Sequence, residues 1–333
     1  MTRIVQLQNG ATRSVALVEE PQLRLLTGIN SIYELARAAA EANISLVELV
    51  QKKAGSEQLD YDAIYRGNSD WRLRPPIDHP IEAARCLVSG TGLTHLGSAA
   101  NRQRMHEAKD SELTDSMKMF RLGVAGGKPA PGIAGVAPEW FYKGIGTILR
   151  AHGEPLAVPA YALDGGEEAE VAGIYFIDAA SQPCRIGMSI GNEFSDHLFE
   201  KNNYLNLAGS KIRNCALGPE LVIDPEFNSV PGTARIERAG KTFWSKDITT
   251  GENEMSHSLR NIEQHHFKFE THRRPGDVHV HYFGACALSF GDGVALMDGD
   301  VMEITFAGFG RALRNPLRDA RGDATLIAVK SMA

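Results

Sequence analysis

Three acidic residues in this sequence have the types and spacing to hold a metal ion. Glu168 and Glu170 lie two positions apart at the start of an apolar run, and Glu193 follows in Gly-Asn-Glu-Phe-Ser-Asp-His. Side chains two residues apart on a β-strand point to the same face, so the first two carboxylates are expected side by side next to a core. Oxygen ligands without cysteine or histidine favour Mg²⁺ or Mn²⁺ over zinc. From spacing alone, the alternative is an acidic turn that faces solvent.

The elements that position these residues are predicted to be mostly short strands. Beyond Pro155, apolar runs alternate with Gly, Pro, Asn and Asp, which is typical of strands joined by irregular connections. The predicted strands are 156–163, 171–177, 185–190, 221–223, 234–244, 278–290 and 301–306. Segments 89–102 and 123–131 are predicted as long loops.

The N-terminal part has a different pattern. Two capping boxes, Ser31-x-x-Glu34 and Ser45-x-x-Glu48, each begin a segment with apolar residues at helical spacing, which predicts two short helices. A segment rich in Trp, Pro, Asp and Arg follows over 61–80, as expected of a connection. We therefore predict a small N-terminal domain over 1–82 and a catalytic domain over 83–333.

Composition excludes several classes of protein. A net charge of −6 over 333 residues argues against a nucleic-acid partner, for which a clustered basic surface is expected. No apolar run is long enough for a membrane span or a signal peptide, so we expect a cytoplasmic protein with no membrane partner. The four cysteines are widely spaced, which predicts neither a disulfide framework nor a zinc knuckle.

Several motifs in order resemble the signature of the fumarylacetoacetate hydrolase superfamily. The run 191–197 is followed by Gly-Ser-Lys at 209–211 and Leu-Gly-Pro at 217–219, and further matches lie at 138–144, 298–301 and 307–310. The resemblance covers about residues 85 to 315. It implies an α+β fold, a mixed β-roll with a small N-terminal α/β domain. It also implies a homodimer, with Mg²⁺ or Mn²⁺ held by Glu168, Glu170 and Glu193.

The sequence departs from the family pattern at two places. The third metal ligand is usually Asp in the family, whereas Glu193 is one methylene longer. Hydrolases of the family also carry a His and a Glu that activate the attacking water. Here His95 falls near that motif without a Glu at the expected spacing, although His106 and Glu107 could supply the pair after an insertion.

These departures bear on the predicted reaction. The resemblance implies a 2-oxo acid substrate, which can chelate a hard cation, and the cation then stabilises the enolate formed when a C3 proton leaves. Without a water-activating pair, loss of a C4 hydroxyl is favoured over hydrolysis of a C–C bond. We therefore predict a Mg²⁺-dependent dehydratase of a 2-keto-3-deoxy sugar acid. The alternatives are an acylpyruvate or diketo-acid hydrolase, and a keto-acid-binding protein without turnover.

We predict further site residues around the metal. Lys211 is expected to steady the enolate, or to act as an acid or base if burial lowers its pKa, and the alternative is a surface ion pair. The predicted catalytic residues are Lys211, His95 and Glu200, and the predicted substrate-binding residues are Tyr142, Lys143, Ser89, Thr91 and Arg102.

Other histidines have structural explanations. His279 and His281 would share one face of a strand, and a second metal site there lacks a third nitrogen or sulfur ligand nearby in sequence. His265 and His266 lie in a polar run that predicts a solvated helix. His197 is expected either to tune the pocket beside Glu193 or to face solvent.

Overall fold

The structure is a computed structural model that describes residues 1–106, 114–322 and 324–332. Of the possible water-activating pair, Glu107 and the side chain of His106 lie outside the described residues. The helices of the described chain are α1 (Ile32–Ala42), α2 (Leu46–Lys53), α3 (Tyr61–Tyr65), α4 (Leu96–His106), α5 (Asp115–Gly126), α6 (His197–Asn202), α7 (Leu207–Lys211) and α8 (Leu259–Phe267).

The strands form one large and one small sheet. In chain order they are β1 (Thr2–Asn9), β2 (Thr12–Glu19), β3 (Gln22–Leu26), β4 (Ala54–Asp60), β5 (Arg72–Leu73), β6 (Cys86–Gly92), β7 (Glu139–Ile145), β8 (Leu149–Arg150), β9 (Leu156–Val158), β10 (Ala169–Ile177), β11 (Pro183–Asn192), β12 (Cys215–Leu217), β13 (Leu221–Ile223), β14 (Val230–Arg238), β15 (Lys241–Thr250), β16 (Val278–Tyr282), β17 (Val301–Phe306) and β18 (Leu313–Asp319).

The larger sheet has thirteen strands and joins the N-terminal part to the middle of the chain. Its main path runs β4-β3-β2-β1-β13-β11-β10-β16-β6-β7, with β5 beside β1 and with β12 between β11 and β8. The second sheet has the order β15-β14-β17-β18-β9. Because Ile4 of β1 lies opposite Leu221 of β13, the first strand of the predicted N-terminal domain belongs to the same sheet as the catalytic strands. The domain boundary near residue 83 stays a prediction.

The serine N-cap of each predicted capping box is confirmed, and so are the two helices. The Ser31 and Ser45 hydroxyls accept hydrogen bonds from the backbone N–H groups of Glu34 and Glu48, each at 3.1 Å. Such N-caps satisfy N–H groups that have no partner within the helix. Helix α1 buries apolar side chains at helical spacing, and Asn43 in the left-handed conformation ends it.

Strand β10 forms the centre of the fold, between β11 and β16. All nine of its residues are buried. Successive side chains alternate between two cores: Ile174 and Phe176 pack in the core that contains α1 and α2, whereas Ala169 and Val171 pack against the second sheet. A strand covered on both faces is expected to be apolar throughout, which explains the continuous run in the sequence. Strands predicted at 171–177, 185–190, 221–223 and 301–306 are confirmed.

Other predicted strands are wrong in extent. Segment 234–244 belongs to a hairpin, because Ala239 and Gly240 have φ values of +50° and +74° and reverse the chain. Segment 278–290 is strand only to Tyr282, and segment 156–163 only to Val158. The loop predicted at 89–102 is wrong, since β6 extends to Gly92 and α4 begins at Leu96. The loop predicted at 123–131 begins only after α5 ends at Gly126. No helix in the described part of the chain is both long and apolar enough to cross a membrane.

Candidate active site

The pairing of β10 with β11 brings the three acidic residues together. Ala169 lies opposite Asn192, and the Glu193 N–H donates to the Glu168 carbonyl at 3.0 Å, which continues the pairing by one residue. Residues directly opposite in an antiparallel pair share a face, and so do residues two apart on one strand. Glu168, Glu170 and Glu193 therefore point to the same side of the sheet, at the end of the β10–β11 pair that lies opposite its turn.

The three side chains form one compact, buried cluster. A carboxylate oxygen from each lies within 4.8 Å of the others. The residues are 7% (Glu168), 1% (Glu170) and 0% (Glu193) exposed, which excludes the solvent-facing acidic turn. Unpaired carboxylates at this depth are costly, so the cluster needs compensating positive charge.

Two buried lysines supply part of this charge. Nζ of Lys211 lies 2.5 Å from both Oε1 of Glu168 and Oε2 of Glu193. Nζ of Lys143 contacts Oε1 of Glu193 and donates to the backbone carbonyls of Phe194 and Lys211 at 2.8 and 2.9 Å. The surface ion pair considered for Lys211 is therefore wrong, because Lys211 is 1% exposed.

The pKa values of the three carboxylates shift in different directions, being raised for Glu170 and Glu193 by burial and lowered for Glu168. Burial and the charges of Glu193 and Glu168 raise the pKa of Glu170, whose Oε2 accepts from the backbone N–H of Gly284 at 2.7 Å. Burial opposes ionisation of Glu168 too, but the Lys211 ammonium and the His197 hydrogen bond lower its pKa. Three carboxylates thus face two ammonium groups. A divalent cation bound by the oxygens fits this donor set, since it would add the missing charge beside Glu170.

The same cluster determines the protonation state of Lys211. Burial alone would lower the pKa of Lys211, but the charges of Glu168 and Glu193 outweigh it and raise the pKa above the ordinary lysine value. The condition for a role of Lys211 as acid or base, a pKa lowered by burial, is therefore not met. In this arrangement Lys211 is a charged donor rather than a base.

His197 faces the cluster and not the solvent. Its Nε2 lies 3.1 Å from Oε1 of Glu168, and the side chain is 2% exposed. Burial would lower the pKa of His197, but the hydrogen bond to Glu168 and its charge raise it. Gly166 makes room for the ring, because a Cβ there would lie 2.4 Å from Nδ1 of His197.

A second buried ion network lies beside the carboxylates. Nη1 of Arg102 donates to both carboxylate oxygens of Glu139 at 2.8 Å, and Nε of Arg102 lies 2.6 Å from Oε1 of Glu200. Tyr204 donates to Glu139 at 2.9 Å. Predicted residues Arg102 and Glu200 therefore meet in the structure, although 98 positions separate them in the sequence.

The two networks share a small pocket of about 20 Å³. Its wall is formed by Gly92, Leu93, Ser98, Arg102, Glu168, His197, Glu200, Ala285 and Leu288. The pocket combines a carboxylate of the candidate metal cluster with the predicted catalytic Glu200.

Other predicted site residues make different contacts. The hydroxyls of Ser89 and Thr91 lie 2.8 and 2.7 Å from Nδ1 and Nε2 of His281. Tyr142 is 40% exposed and lies on the opposite face of β7 from Lys143, which is fully buried. Their substrate-binding roles stay predictions.

His95 makes its side-chain hydrogen bonds to threonines and not to the carboxylates. Its ring nitrogens are 2.8 Å from Oγ1 of Thr94 and 3.1 Å from Oγ1 of Thr250. Burial lowers the pKa of His95 to about 4, so the ring is neutral at neutral pH. These contacts do not support the predicted role as a proton carrier.

Three other histidines, His266, His279 and His281, form a buried cluster that has no acidic partner among the described residues. Nε2 of His266 lies 3.0 Å from Nδ1 of His279, and the His266 ring lies 4.5 Å from that of His281. His266 is 1% exposed, so the predicted solvated helix is wrong at this position. Burial lowers the pKa of both His279 and His281 to about 3. Among the described residues, the only group of metal-ligand type is the carboxylate cluster.

Sequence reasoning missed several residues that shape the site. Glu139 and Phe141 share the inward face of β7 with Lys143, and the ring of Phe141 lies 4.9 Å from Nζ of Lys211. The period of two along this strand was the available signal. Glu167 was also missed; it accepts two 2.7 Å hydrogen bonds from Ser289 and ties the pocket wall to the Glu168 segment.

Comparison with known proteins identifies the fold. No family model and no curated protein matches the sequence. Among solved structures, a hexagonal crystal form of 2-keto-3-deoxyarabinonate dehydratase aligns with a TM-score of 0.72 and 20% identity, over 96% of this chain and 100% of that one. The chain has the fumarylacetoacetate hydrolase-like fold. The α+β fold class is confirmed, and the sequence resemblance is confirmed at the level of the fold.

Two further structures share this fumarylacetoacetate hydrolase-like fold. 2-Keto-3-deoxy-D-arabinonate dehydratase complexed with magnesium and 2,5-dioxopentanoate aligns with a TM-score of 0.71 and 21% identity, over 96% of this chain and 100% of that one. 2-Hydroxyhepta-2,4-diene-1,7-dioate isomerase from Mycobacterium marinum aligns with a TM-score of 0.59 and 17% identity, over 96% and 99% of the two chains. Enzymes of different reaction types therefore share the architecture.

Proposed function

We propose that this protein is a Mg²⁺- or Mn²⁺-dependent dehydratase that converts 2-keto-3-deoxypentonate to 2,5-dioxopentanoate, a step of non-phosphorylative pentose breakdown. The observation that carries the proposal is the convergence of Glu168, Glu170 and Glu193 with the Lys211 ammonium in one buried cluster. The dehydratase that aligns with this chain was solved with magnesium and 2,5-dioxopentanoate, which supports the same chemistry here.

The three carboxylates would hold the cation, and the chain's own groups would move the proton. A bound divalent cation would supply Lewis acidity, which draws electrons from the carboxylate and keto oxygens of a 2-oxo acid and acidifies C3. Lys211 is a charged donor that can stabilise negative charge on the keto oxygen.

Glu200 is the group we assign to the proton transfer. Its carboxylate lines the pocket and is held by Nε of Arg102 at 2.6 Å. It would accept the C3 proton and return it to the departing C4 hydroxyl. The C3 proton and the C4 hydroxyl leave together as one water, which gives a 5-hydroxy-2-oxo-3-enoate. Transfer of a proton from C5 to C3, followed by tautomerisation of the C4–C5 enol to the aldehyde, then gives 2,5-dioxopentanoate without further loss of atoms.

The contacts of His95 favour dehydration over hydrolysis. In the hydrolases that the sequence resembles, a histidine and a glutamate activate the water, whereas the ring nitrogens of His95 are engaged by Thr94 and Thr250. The proposal is therefore tested against two alternatives, which are C–C bond hydrolysis and substrate binding without turnover.

The experiment is incubation of the purified protein and Mg²⁺ with a 2-keto-3-deoxypentonate, with an EDTA control and identification of products by mass spectrometry. We expect metal-dependent loss of one water. Glu200→Gln should lower the rate at least 100-fold, and the matched change at an exposed carboxylate, Glu254→Gln, should not. Cleavage of a 2,4-diketo acid to pyruvate would reassign the protein as a hydrolase, and binding of the sugar acid without product would make it a binding protein.

We also propose that the protein acts as a homodimer in the cytoplasm, on a small 2-oxo acid. Strand β7 ends the main path of the larger sheet and exposes Trp140 (36%) and Tyr142 (40%), as a surface covered by a second copy would. Light scattering after size exclusion should give twice the chain mass of 36.2 kDa. Tyr142→Ser should weaken the dimer, and a single-chain mass for the unaltered protein would reject it.

A further inference from the structure

A basic cleft lies between α8 and the connection of β10 to β11, away from the candidate active site. Its volume is about 610 Å³, which is within the range of small-molecule sites. Tyr175 on β10 and Phe267 on α8 line it, with ring centroids 5.0 Å apart. Tyr175 lies five positions after Glu170 on β10, or about 17 Å along an extended strand. The cleft is therefore a separate place from the carboxylate cluster.

The charge of the cleft is opposite to that of the protein as a whole. Four cations line it, Arg185, Arg260, Lys268 and Arg273, against one carboxylate, Glu263. The chain as a whole has a net charge of −6. A concave surface with one sign of charge concentrates its field and attracts counter-ions.

The single carboxylate of the cleft is already paired. Oε1 of Glu263 accepts from Nη1 of Arg185 at 2.5 Å and from the hydroxyl of Tyr175 at 3.1 Å. Tyr175 is 2% exposed, so this network of three hydrogen-bonded residues forms the base of the cleft. Glu263 is therefore not available to neutralise the other cations of the cleft.

The other three cations have no acidic partner in the part of the chain that the structure describes. Nη2 of Arg260 donates to the backbone carbonyl of Ala130 at 3.3 Å, and Nζ of Lys268 lies 3.0 Å from Nδ1 of His265. Within the described ranges, neither these two nor Arg273 forms an ion pair with a carboxylate. Other surface arginines of this chain, such as Arg235 and Arg311, are paired with acidic residues.

We propose that this cleft binds a small polyanion that carries at least two negatively charged oxyanion groups. Arginine and lysine side chains suit phosphate and carboxylate oxygens, and Gln264 in the same wall adds a neutral donor. Phosphate esters and polycarboxylates share this chemistry, and the binding experiment distinguishes them. The proposal does not depend on the reaction at the carboxylate cluster.

The test is calorimetric titration of the Mg²⁺-saturated protein with fructose 1,6-bisphosphate, and separately with tricarballylate, at constant ionic strength. We expect saturable binding of at least one probe, weakened by added salt. Binding of the sugar bisphosphate alone assigns the site to phosphate esters, and binding of both assigns it to polyanions in general. The absence of binding by either probe overturns the proposal.

Matched variants locate the binding. The double variant R260A/R273A should weaken Kd at least tenfold, whereas R72A/K241A, which removes two exposed cations elsewhere, should leave it unchanged. Q264E, which adds a negative charge inside the cleft, should weaken binding as well. Glu170→Gln should retain it. Loss of binding in Glu170→Gln, or equal Kd values for R260A/R273A and the unaltered protein, would overturn the assignment to this cleft.

Discussion

The ammonium group of Lys143 contacts Oε1 of Glu193, and neither side chain is exposed to solvent. The remaining hydrogen bonds of Lys143 go to the backbone carbonyls of Phe194 and Lys211. This lysine therefore joins β7 both to the segment that carries Glu193 and to the end of α7. Lys143 therefore contacts Glu193, a candidate metal ligand, from the interior of the protein, and it does not line the pocket.

Lys143→Met should destabilise the protein. Removing one partner of a buried ion pair costs about 3 to 5 kcal/mol in the free energy of unfolding. Here the change leaves Lys211 to face three buried carboxylates. Urea unfolding followed by circular dichroism measures this change. Lys241→Met, at an exposed position of β15, is the matched control and should change the value by less than about 0.5 kcal/mol. A loss below about 1 kcal/mol for Lys143→Met would contradict the counter-charge role.

Glu170→Gln should abolish the stabilisation of the protein by Mg²⁺. A ligand at one hundred times its Kd raises the free energy of unfolding by about 2.7 kcal/mol, and loss of one charged ligand should remove most of this gain. Unfolding with and without Mg²⁺ measures it independently of turnover. The metal-free variant should stay folded, because its amide removes a carboxylate from a cluster with excess negative charge. An unchanged response to Mg²⁺ would remove Glu170 from the ligand set.

The candidate metal cluster could be predicted because its determinants are local. Glu168 and Glu170 share a face by the period of a strand, and Glu193 faces them across one hairpin. Lys143 shows the limit of this reasoning. The period of two along β7 predicts the face on which Lys143 lies. The partners of Lys143 are 50 to 68 residues away in the sequence, and their position next to it depends on how α7 packs. The meeting of Arg102 with Glu139 and Glu200 has the same long-range origin.

The fold was predictable to a similar degree. Helix α1 was predicted from Ser31 and its apolar spacing, both of which are local signals. The hairpin of β14 and β15 was not predicted, because its turn residues, Ala239 and Gly240, are weaker turn signals than Asn-Gly or Asp-Gly. The order of strands in the larger sheet, with β1 beside β13, comes from packing between distant segments and has no local signal.

His197 should tune metal affinity through Glu168. Because Nε2 of His197 lies 3.1 Å from Oε1 of Glu168, removal of this donor should free the carboxylate and weaken Mg²⁺ binding about 10- to 100-fold. His197→Leu tests this loss by calorimetry. His197→Gln keeps an amide donor at a comparable reach and should restore affinity to within about threefold. Equal affinities for the two variants would mean that His197 acts by packing alone.

His95 should make the protein less stable in acid without taking part in turnover. Burial lowers the pKa of His95 to about 4 in the folded state, whereas an unfolded histidine titrates near 6.5. Between these values the unfolded state binds the extra proton, so stability falls as the pH drops from about 6.5 towards 4. At pH 5 the loss from this one residue is about 2 kcal/mol.

The variant His95→Gln should remove that share of the pH dependence of stability, measured by urea unfolding at pH 7.5 and pH 5. It should keep turnover within a few-fold, because the imidazole contacts threonines and not the carboxylates. Thr250→Val is the control: it removes a hydroxyl partner of His95 and leaves the titrating ring, so its pH dependence should match that of the unaltered protein. A 100-fold loss of turnover in His95→Gln at unchanged stability would instead return this residue to the role of proton carrier.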